Sequence, residues 1–564
     1  MVAKRTVYIL VSICIALTLV GIIGLNCYPL GIARTTHQAV TTNGELISFN
    51  LYQPKELSQP TPVVVMGHGI IVNKEMMTAF AIELAYNGFI VASLDWSGHG
   101  QSTGPLANLS NDLEAVINEI PVLQPLANMS ALALLGYSMG GFATYPYSVN
   151  NSNVKAWVGV GTLADGDIST NMTPHNVLMI IGALDEAFVP ETAKLAMVNL
   201  TGVASVDDVQ FEHLYGNISD GTARRVHIVP GADHLITPWH HDFVILATAW
   251  ITESLGGSII TPSADEVVFA VRTSFAWIGF LGLVALTFVL AFILSEKLGL
   301  QKKSSENTEE LILPQVAQDQ SLLSFVGKYY LLTFLLVPTI FIFVPLILFT
   351  PVPFTSALTA IVGCFGINIL IYSWRLAKKW GTSIKSILKQ NLMQNAKIWI
   401  YGIILTTIFF VCYYLSIGLN GLGIIPSLTR LPYLVPYCLI LFFVIFFSGV
   451  FIQKFSTPFL EAKLRIKSPT ARYLSIALIN FLLVDSWFVI LVMVPCIILG
   501  NYFIAMILIL MVPIFLFMIF FSVYMEKLVG SVIPGALLNA VMIGFLILTL
   551  SPYGDIMSFF QILL

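Results

Sequence analysis

The sequence predicts two folds in one chain: a parallel-type sheet with helices on both faces, and an all-α transmembrane helical domain. Three observations carry this. The 564 residues are 57% hydrophobic and only 10% charged, with a mean hydropathy of +0.84, whereas a soluble domain carries about 25% charge. The charge is unevenly placed: residues 34–272 hold 22 of the 31 acidic and 8 of the 27 basic side chains, together with all nine histidines. Within that stretch short apolar runs alternate with helical patterns, and beyond it long apolar runs follow one another. One water-soluble domain is thereby excluded, and so is a disordered chain, which needs low hydrophobicity and high charge. The local balance of −14 excludes nucleic acid as a partner, because that binding needs basic patches. Cys14, Cys27, Cys364, Cys412, Cys438 and Cys496 all lie outside the acidic stretch, which therefore has no internal disulfide.

A helix that crosses a bilayer needs about 20 mostly apolar residues. Val7–Leu30 meets this behind Lys4 and Arg5. The run exceeds the ~7–15 apolar residues of a cleaved signal peptide. No A-x-A site follows it, and Asn26 before Cys27 fits a lipoprotein cleavage box poorly. Residues 1–33 are therefore expected to be an uncleaved N-terminal signal anchor, followed by an α/β domain over 34–265. Residues 266–564 form a polytopic domain of about eight spans: Thr273–Leu294, Tyr329–Phe349, Phe354–Trp374, Ile398–Leu419, Leu434–Ile452, Tyr473–Leu499, Phe503–Tyr524 and Leu528–Leu550.

With a cytoplasmic amino terminus, the cytoplasmic segments carry 18 Lys and Arg, and the opposite loops of the helical half carry only Arg430. The positive-inside rule then predicts an integral cell-membrane protein whose α/β domain lies outside the cytoplasm. Six N-x-[ST] tripeptides, at Asn108, Asn128, Asn150, Asn171, Asn199 and Asn217, all fall in that domain, which agrees with an exterior face.

Along the α/β domain, Leu46–Tyr52 and Pro62–Met66 read as strands and Met76–Tyr86 as an amphipathic helix. Phe89–Leu94 is a strand, and Leu109–Ile120 a helix behind the capping residues Asn108 and Ser110. The strand Ala131–Gly136 leads into a helix from Met139. Ala156–Val160, Val177–Ile181 and Val226–Val229 are strands, and Glu191–Val198 and Pro238–Ser254 are helices. Alternation of this kind indicates a parallel sheet covered on both faces, with ligands beyond the carboxyl ends of the strands.

Gly136-Tyr137-Ser138-Met139-Gly140-Gly141 falls directly between a strand and a helix. A nucleophile raised on such a sharp turn tolerates only tiny neighbours, which accounts for Gly136 and Gly140. The helix amino terminus behind it favours developing negative charge. A serine nucleophile needs a base oriented by an acid, in the chain order Ser, Asp/Glu, His. Asp185 follows the strand Val177–Ile181, and His234 follows Val226–Val229. Glu186, Asp165 and Asp167 remain rival acids. His227 reads as a sheet residue, and His240 and His241 as surface residues. The expected oxyanion donors are the backbone N–H of Met139 and that of Ile70, in the loop Gly67-His68-Gly69-Ile70. His68 lacks a His or Cys partner at ligand spacing, so neither metal nor organic cofactor is expected.

Taken together, His68-Gly69, Asp95-Trp96-Ser97-Gly98-His99-Gly100-Gln101-Ser102, Gly136–Gly141, Gly182…Asp185 and Gly231…His234 resemble the α/β-hydrolase superfamily. The stretch Asp95–Ser102 is similar to its monoglyceride-lipase and serine-aminopeptidase branch. The resemblance spans residues 45–255 or so. It implies the α/β-hydrolase fold, with Ser138 as nucleophile, Asp185 as acid, His234 as base, and Ile70 and Met139 as oxyanion donors. The chain departs from the pattern in three ways. Gly69-Ile70 replaces the extra glycines of many lipases, and no lid domain separates the Ala156 and Val177 strands. The 49 residues from Asp185 to His234 leave an excess near Thr201–Thr222 that is expected to cover the pocket.

The expected activity is that of a serine hydrolase cleaving ester, thioester or amide bonds through an acyl-enzyme. Its substrate would be a small-molecule ester, a lipid or a peptide, beside membrane lipid. Readings of another class are a transporter or receptor whose outer domain only binds, and an acyltransferase using lipid held by the spans. In the helical half, Asp485 falls near the middle of a span, where an ionisable group is costly and marks a candidate functional residue. The competing role is an interior hydrogen bond to Asn368, Asn480 or Asn539. Pro338, Pro345, Pro495 and Pro513 predict kinks, and no GxxxG stripe is apparent.

Overall fold

The computed structural model describes residues 4–170, 172–256, 267–302, 319–500, 502, 505 and 507–555. The domain boundary expected at 265/266, the tripeptide start at Asn171 and the expected start of a span at Phe503 lie outside these residues. Helix α1 (Lys4–Cys27) opens the chain. Eight strands follow: β1 (Ile32–Val40), β2 (Leu46–Pro54), β3 (Thr61–Gly67), β4 (Ile90–Leu94), β5 (Ala127–Tyr137), β6 (Val154–Val160), β7 (Val177–Gly182) and β8 (Arg224–Val229). They form one sheet in the order β1-β2-β4-β3-β5-β6-β7-β8. β2 pairs antiparallel with β1 and with β4, and every other pairing is parallel.

The helices are α2 (Thr78–Tyr86), α3 (Leu109–Leu123), α4 (Met139–Asn150), α5 (Pro190–Thr201) and α6 (His241–Ser254). Asn108 does cap α3, its side chain accepting the Asn111 N–H at 3.4 Å. The closing helix starts later than the expected Pro238, because Thr237–Trp239 forms a 3-10 turn first. Phe80 of α2 and Phe243 and Ala247 of α6 pack on one face of the sheet. Leu113 and Val116 of α3, Ala143 of α4 and Met197 of α5 pack on the other. Strand β1 was not anticipated, since Thr35, Thr36 and His37 break any apolar alternation. As an edge strand it is half exposed and is held by its register on β2, from Ile32↔Pro54 to Val40↔Leu46.

Among the described residues, eight helices are long and apolar enough to cross a membrane, or nine if one bent pair counts as a span. That pair, Leu322–Leu335 and Val337–Phe349, meets at 42° beside Pro338, where the missing N–H and the ring interrupt the helical ladder. Pro495 and Pro513 instead lie inside continuous helices, Pro469–Leu499 and Ile507–Val529. A close helix contact was also missed in the sequence. α1 packs along α7 (Val268–Lys297) through glycines three apart on each helix: Gly21 faces Gly279, Gly24 faces the Phe275 ring, and Gly282 faces Leu17 and Thr18. A Cβ on Gly21 would lie 2.2 Å from the Gly279 Cα, so only small residues permit this approach.

Two arginines, Arg34 and Arg430, tie the α/β domain to the helical half, and a third, Arg272, ties the end of α1 to it. Arg272 donates to the Leu25 and Tyr28 carbonyls at 2.6 and 2.5 Å, at the α1 carboxyl end, and to Asn420 Oδ1 at 2.7 Å. Arg34 of β1 donates to the Leu419 carbonyl. Arg430 is fully buried and donates to the Thr549 and Ser551 carbonyls at 3.0 and 2.8 Å and to the Gly100 carbonyl. Tyr553 completes the seam: its N–H donates to Gly98 at 2.8 Å and its carbonyl accepts from Leu106 at 2.7 Å.

Candidate active site

Ser138 stands at the turn between β5 and α4 with φ +51° and ψ −121°, a conformation that costs a non-glycine residue about 1–3 kcal/mol. The glycines around it make the turn possible. A Cβ on Gly136 would come 2.4 Å from the Gly140 carbonyl oxygen, and one on Gly140 2.3 Å from the Gly67 oxygen. One on Gly69 would come 3.0 Å from the Ser138 Cβ, so the loop after β3 passes directly over the serine.

Ser138 Oγ lies 3.0 Å from His234 Nε2, and His234 Nδ1 lies 3.0 Å from Asp185 Oδ2. All three side chains are buried. The other carboxylate oxygen of Asp185 accepts the N–H groups of Ala187 and Phe188 at 2.9 and 2.7 Å, so the acid is held from both ends. Of the rival acids, Glu186 accepts the backbone N–H of His234 at 3.2 Å. Asp165 and Asp167 are exposed at the 3-10 turn Gly166–Ile168. Three supporting groups were not singled out from the sequence. The Tyr137 O–H donates to the His234 carbonyl at 2.9 Å, the Phe188 ring lies 5.5 Å from the His234 ring, and a Cβ on Gly161 would crowd His234 Nδ1 at 3.3 Å.

Ser138, Ile70 and Met139 share one cavity of about 1040 Å³. Its remaining walls come from Leu109, Phe142, Ala143, residues 183–190, and Gly500 and Tyr502. The segment Thr201–Thr222, expected to cover the pocket, supplies none of the cavity's lining residues. It is drawn instead to β8, where Tyr215 and Arg224 exchange backbone bonds at 3.0 and 2.8 Å.

The Asp95–Ser102 stretch is scaffold rather than pocket. Asp95 is buried and receives Lys74 Nζ at 2.6 Å and the N–H groups of Lys74 and Gln101 at 2.7 and 2.8 Å. Burial opposes both charges. Lys74 and His68 outweigh it and hold the Asp95 carboxyl below its ordinary value, and Asp95 and Glu75 likewise hold the Lys74 ammonium above its own. His68 donates from Nδ1 to the Gly69 carbonyl at 2.6 Å, and its Nε2 accepts the Trp96 N–H at 3.3 Å. Burial lowers its pKa to about 4, so it braces the loop over Ser138 as a neutral ring. His227 is a sheet residue on β8, paired with Glu212.

Among the described residues, the donor atoms of His240, His241 and Asp242 lie within 4.8 Å of one another, close enough to hold a cation. They stand at the start of α6 and do not line the cavity. Asp485 is half-buried, and two of its expected asparagine partners are engaged elsewhere. Asn368 bonds to Thr339 and the Thr333 carbonyl, and Asn480 to the Ile476 carbonyl. The expected interior hydrogen bond from Asp485 is therefore absent among the described residues.

An eight-stranded sheet in which β2 runs antiparallel to both its neighbours, with a serine raised on the turn after β5, is accompanied by a match of residues 58–204 to the family described as serine aminopeptidase, S33. This part of the chain has the α/β-hydrolase fold. Among solved structures, this α/β domain is similar to the Pyrococcus furiosus esterase Pf2001, at 12% identity and TM-score 0.32, covering 41% of this chain and 96% of that one. It is similar to a cold-adapted esterase from an Arctic intertidal metagenomic library, at 15% identity and TM-score 0.31, covering 40% and 95%. A third similarity is to XC6422 from Xanthomonas campestris, described as a serine hydrolase without lid, at 15% identity and TM-score 0.28, covering 40% and 94%. No curated protein matches the sequence.

Proposed function

We propose that the protein is a membrane-embedded serine hydrolase that cleaves ester, thioester or amide bonds outside the cytoplasm. The observation that carries this reading is the unbroken contact from Ser138 Oγ through His234 to Asp185, 3.0 Å at each step, opening on a cavity. His234 Nε2 takes the Ser138 proton as Oγ attacks the substrate carbonyl carbon. The negative charge that forms on the carbonyl oxygen rests on the N–H groups of Met139 and Ile70, each worth about 3 kcal/mol in the transition state. Collapse expels the alcohol, thiol or amine, which receives its proton from His234. Water, deprotonated by the same imidazole, then attacks the acyl-enzyme, and the free acid leaves. Asp185 keeps the imidazole in the tautomer with the proton on Nδ1 and stabilises its cationic form.

Orientation rests on the excess of Lys and Arg on one side of the spans. The test is labelling of the full-length protein in detergent with a fluorophosphonate. Wild type should label and Ser138→Ala should not, with hydrolysis of a simple ester falling on the order of 10⁵-fold or more. Labelling that is equal in both, or absent in wild type, would overturn the reading.

A further inference from the structure

We propose that the helical half builds one wall of the substrate pocket, and that the substrate is an ester of a long acyl chain drawn from the membrane. This rests on the serine-hydrolase reading above. Gly500 and Tyr502 line the cavity that holds Ser138, although they lie more than 360 residues further along the chain. They belong to the connection between the helices Pro469–Leu499 and Ile507–Val529, both long and apolar enough to cross a membrane. The cavity mouth therefore sits where two such helices end. A chain lying among them has only to rise to their ends to bring its ester to the serine.

The chemistry of the walls points the same way. Among the described residues the lining includes Asp185 and Glu186 but no Lys, Arg or His, so none of them offers a cation to a phosphate or a carboxylate. Phe142, Leu184, Val189 and Tyr502 all face the cavity, yet are 48%, 63%, 53% and 45% exposed. Apolar side chains gathered at one mouth mark a surface that an apolar partner covers. At about 1040 Å³ the space is at the upper end of the roughly 300–1,000 Å³ typical of ligand pockets, which leaves room beyond the ester for an extended chain. The hydrolase domain has no inserted cap of its own at this place: among the described residues, only the 3-10 turn Gly166–Ile168 lies between β6 and β7. Tyr502, with an apolar ring and a polar tip suited to a membrane boundary, takes the part of that cap as a specificity-determining residue. It is not a catalytic one.

The experiment compares kcat/KM for p-nitrophenyl butyrate and p-nitrophenyl dodecanoate, using full-length wild type, Tyr502→Ala, Tyr502→Phe and Ser138→Ala in the same micelles. Each methylene held against an apolar wall is worth roughly fourfold. Tyr502→Ala, which uncovers about two of them, should lower the dodecanoate value about tenfold, through KM. The butyrate value should stay within about twofold, and Tyr502→Phe should keep the wild-type ratio. Labelling of Tyr502→Ala by a short fluorophosphonate reports that it is folded. If it does not label, Tyr502→Ser replaces it and is read by the same ratio. Equal losses on both esters, or an unmoved ratio, would overturn the pocket-wall inference while leaving the hydrolase reading intact. Undiminished hydrolysis by Ser138→Ala would instead overturn the hydrolase reading itself.

Discussion

Replacing Arg430 with methionine tests whether the two halves of the molecule are one unit. The guanidinium is fully buried at the seam, where burial lowers its pKa to about 10 while Asp95 opposes the fall, and it stays charged at neutral pH. It donates to the carbonyls of Thr549, Ser551 and Gly100 and, from Nε, to Ser427 Oγ at 3.2 Å. The Gly100 oxygen keeps a second partner, the Ser427 N–H at 3.1 Å. The Thr549 and Ser551 oxygens, at the end of the helix Ile533–Leu550, lose a charged donor. Two buried carbonyls left unpaired cost about 2–6 kcal/mol. Releasing the desolvated charge returns part of this, leaving a net loss of about 2–4 kcal/mol. For a domain of this size that is a fall in melting temperature of roughly 5–12 °C. Thermal unfolding of the detergent-solubilised protein, followed by loss of fluorophosphonate labelling, measures it. Limited proteolysis near Tyr553 should quicken in parallel. Arg430→Lys, with a single compact ammonium in place of the fork, should fall between the two. A shift under about 2 °C for Arg430→Met would refute the reasoning, because it would mean that the seam is held without the clasp.

Two further outcomes follow from the same geometry. Asp112 is buried, and burial raises its pKa to about 6, while the Ser97 N–H that it accepts at 2.8 Å acts against the rise. The folded state therefore favours the neutral acid, and its contribution is fully present below about pH 3.8 and is lost as pH rises through about 6. Asp112→Asn should consequently be more stable than wild type at pH 7, by at most about 3 kcal/mol, with the difference vanishing near pH 4. Parallel melting curves at the two pH values decide it, and an equal difference at both would contradict the sign. In the helical half, Gly21→Val places its Cβ where the Gly279 Cα now stands, 2.2 Å away. It should separate α1 from α7 and lower the melting temperature by several degrees, whereas Gly31→Ala, with nothing within 4 Å of its Cβ, should not.

Much of this molecule was legible in one dimension because its strongest signals are local. The candidate spans are written in runs of about 20 apolar residues. Seven of the eight strands of the sheet declared themselves as short apolar runs between turn residues. Ser138, Asp185 and His234 could be named because each follows a strand end, and a parallel sheet carries all such ends to one edge. What could not be read depends on contacts between distant segments. β1 has no apolar alternation and exists through its ladder with β2. The choice of Asp185 over Glu186 was decided by two N–H groups that turn one carboxylate toward His234 and by a backbone N–H that occupies the other. Arg430 stood out in the sequence only as an exception to the charge rule. Folding turns that exception into the clasp of the seam, since a cation on the carbonyl-rich ends of helices is favoured wherever it can be shielded from water. The same holds for the cavity. Composition divides the chain into a chemical half and an apolar half, but Gly500 and Tyr502 reach the space around Ser138 because the folded chain seats one half upon the other.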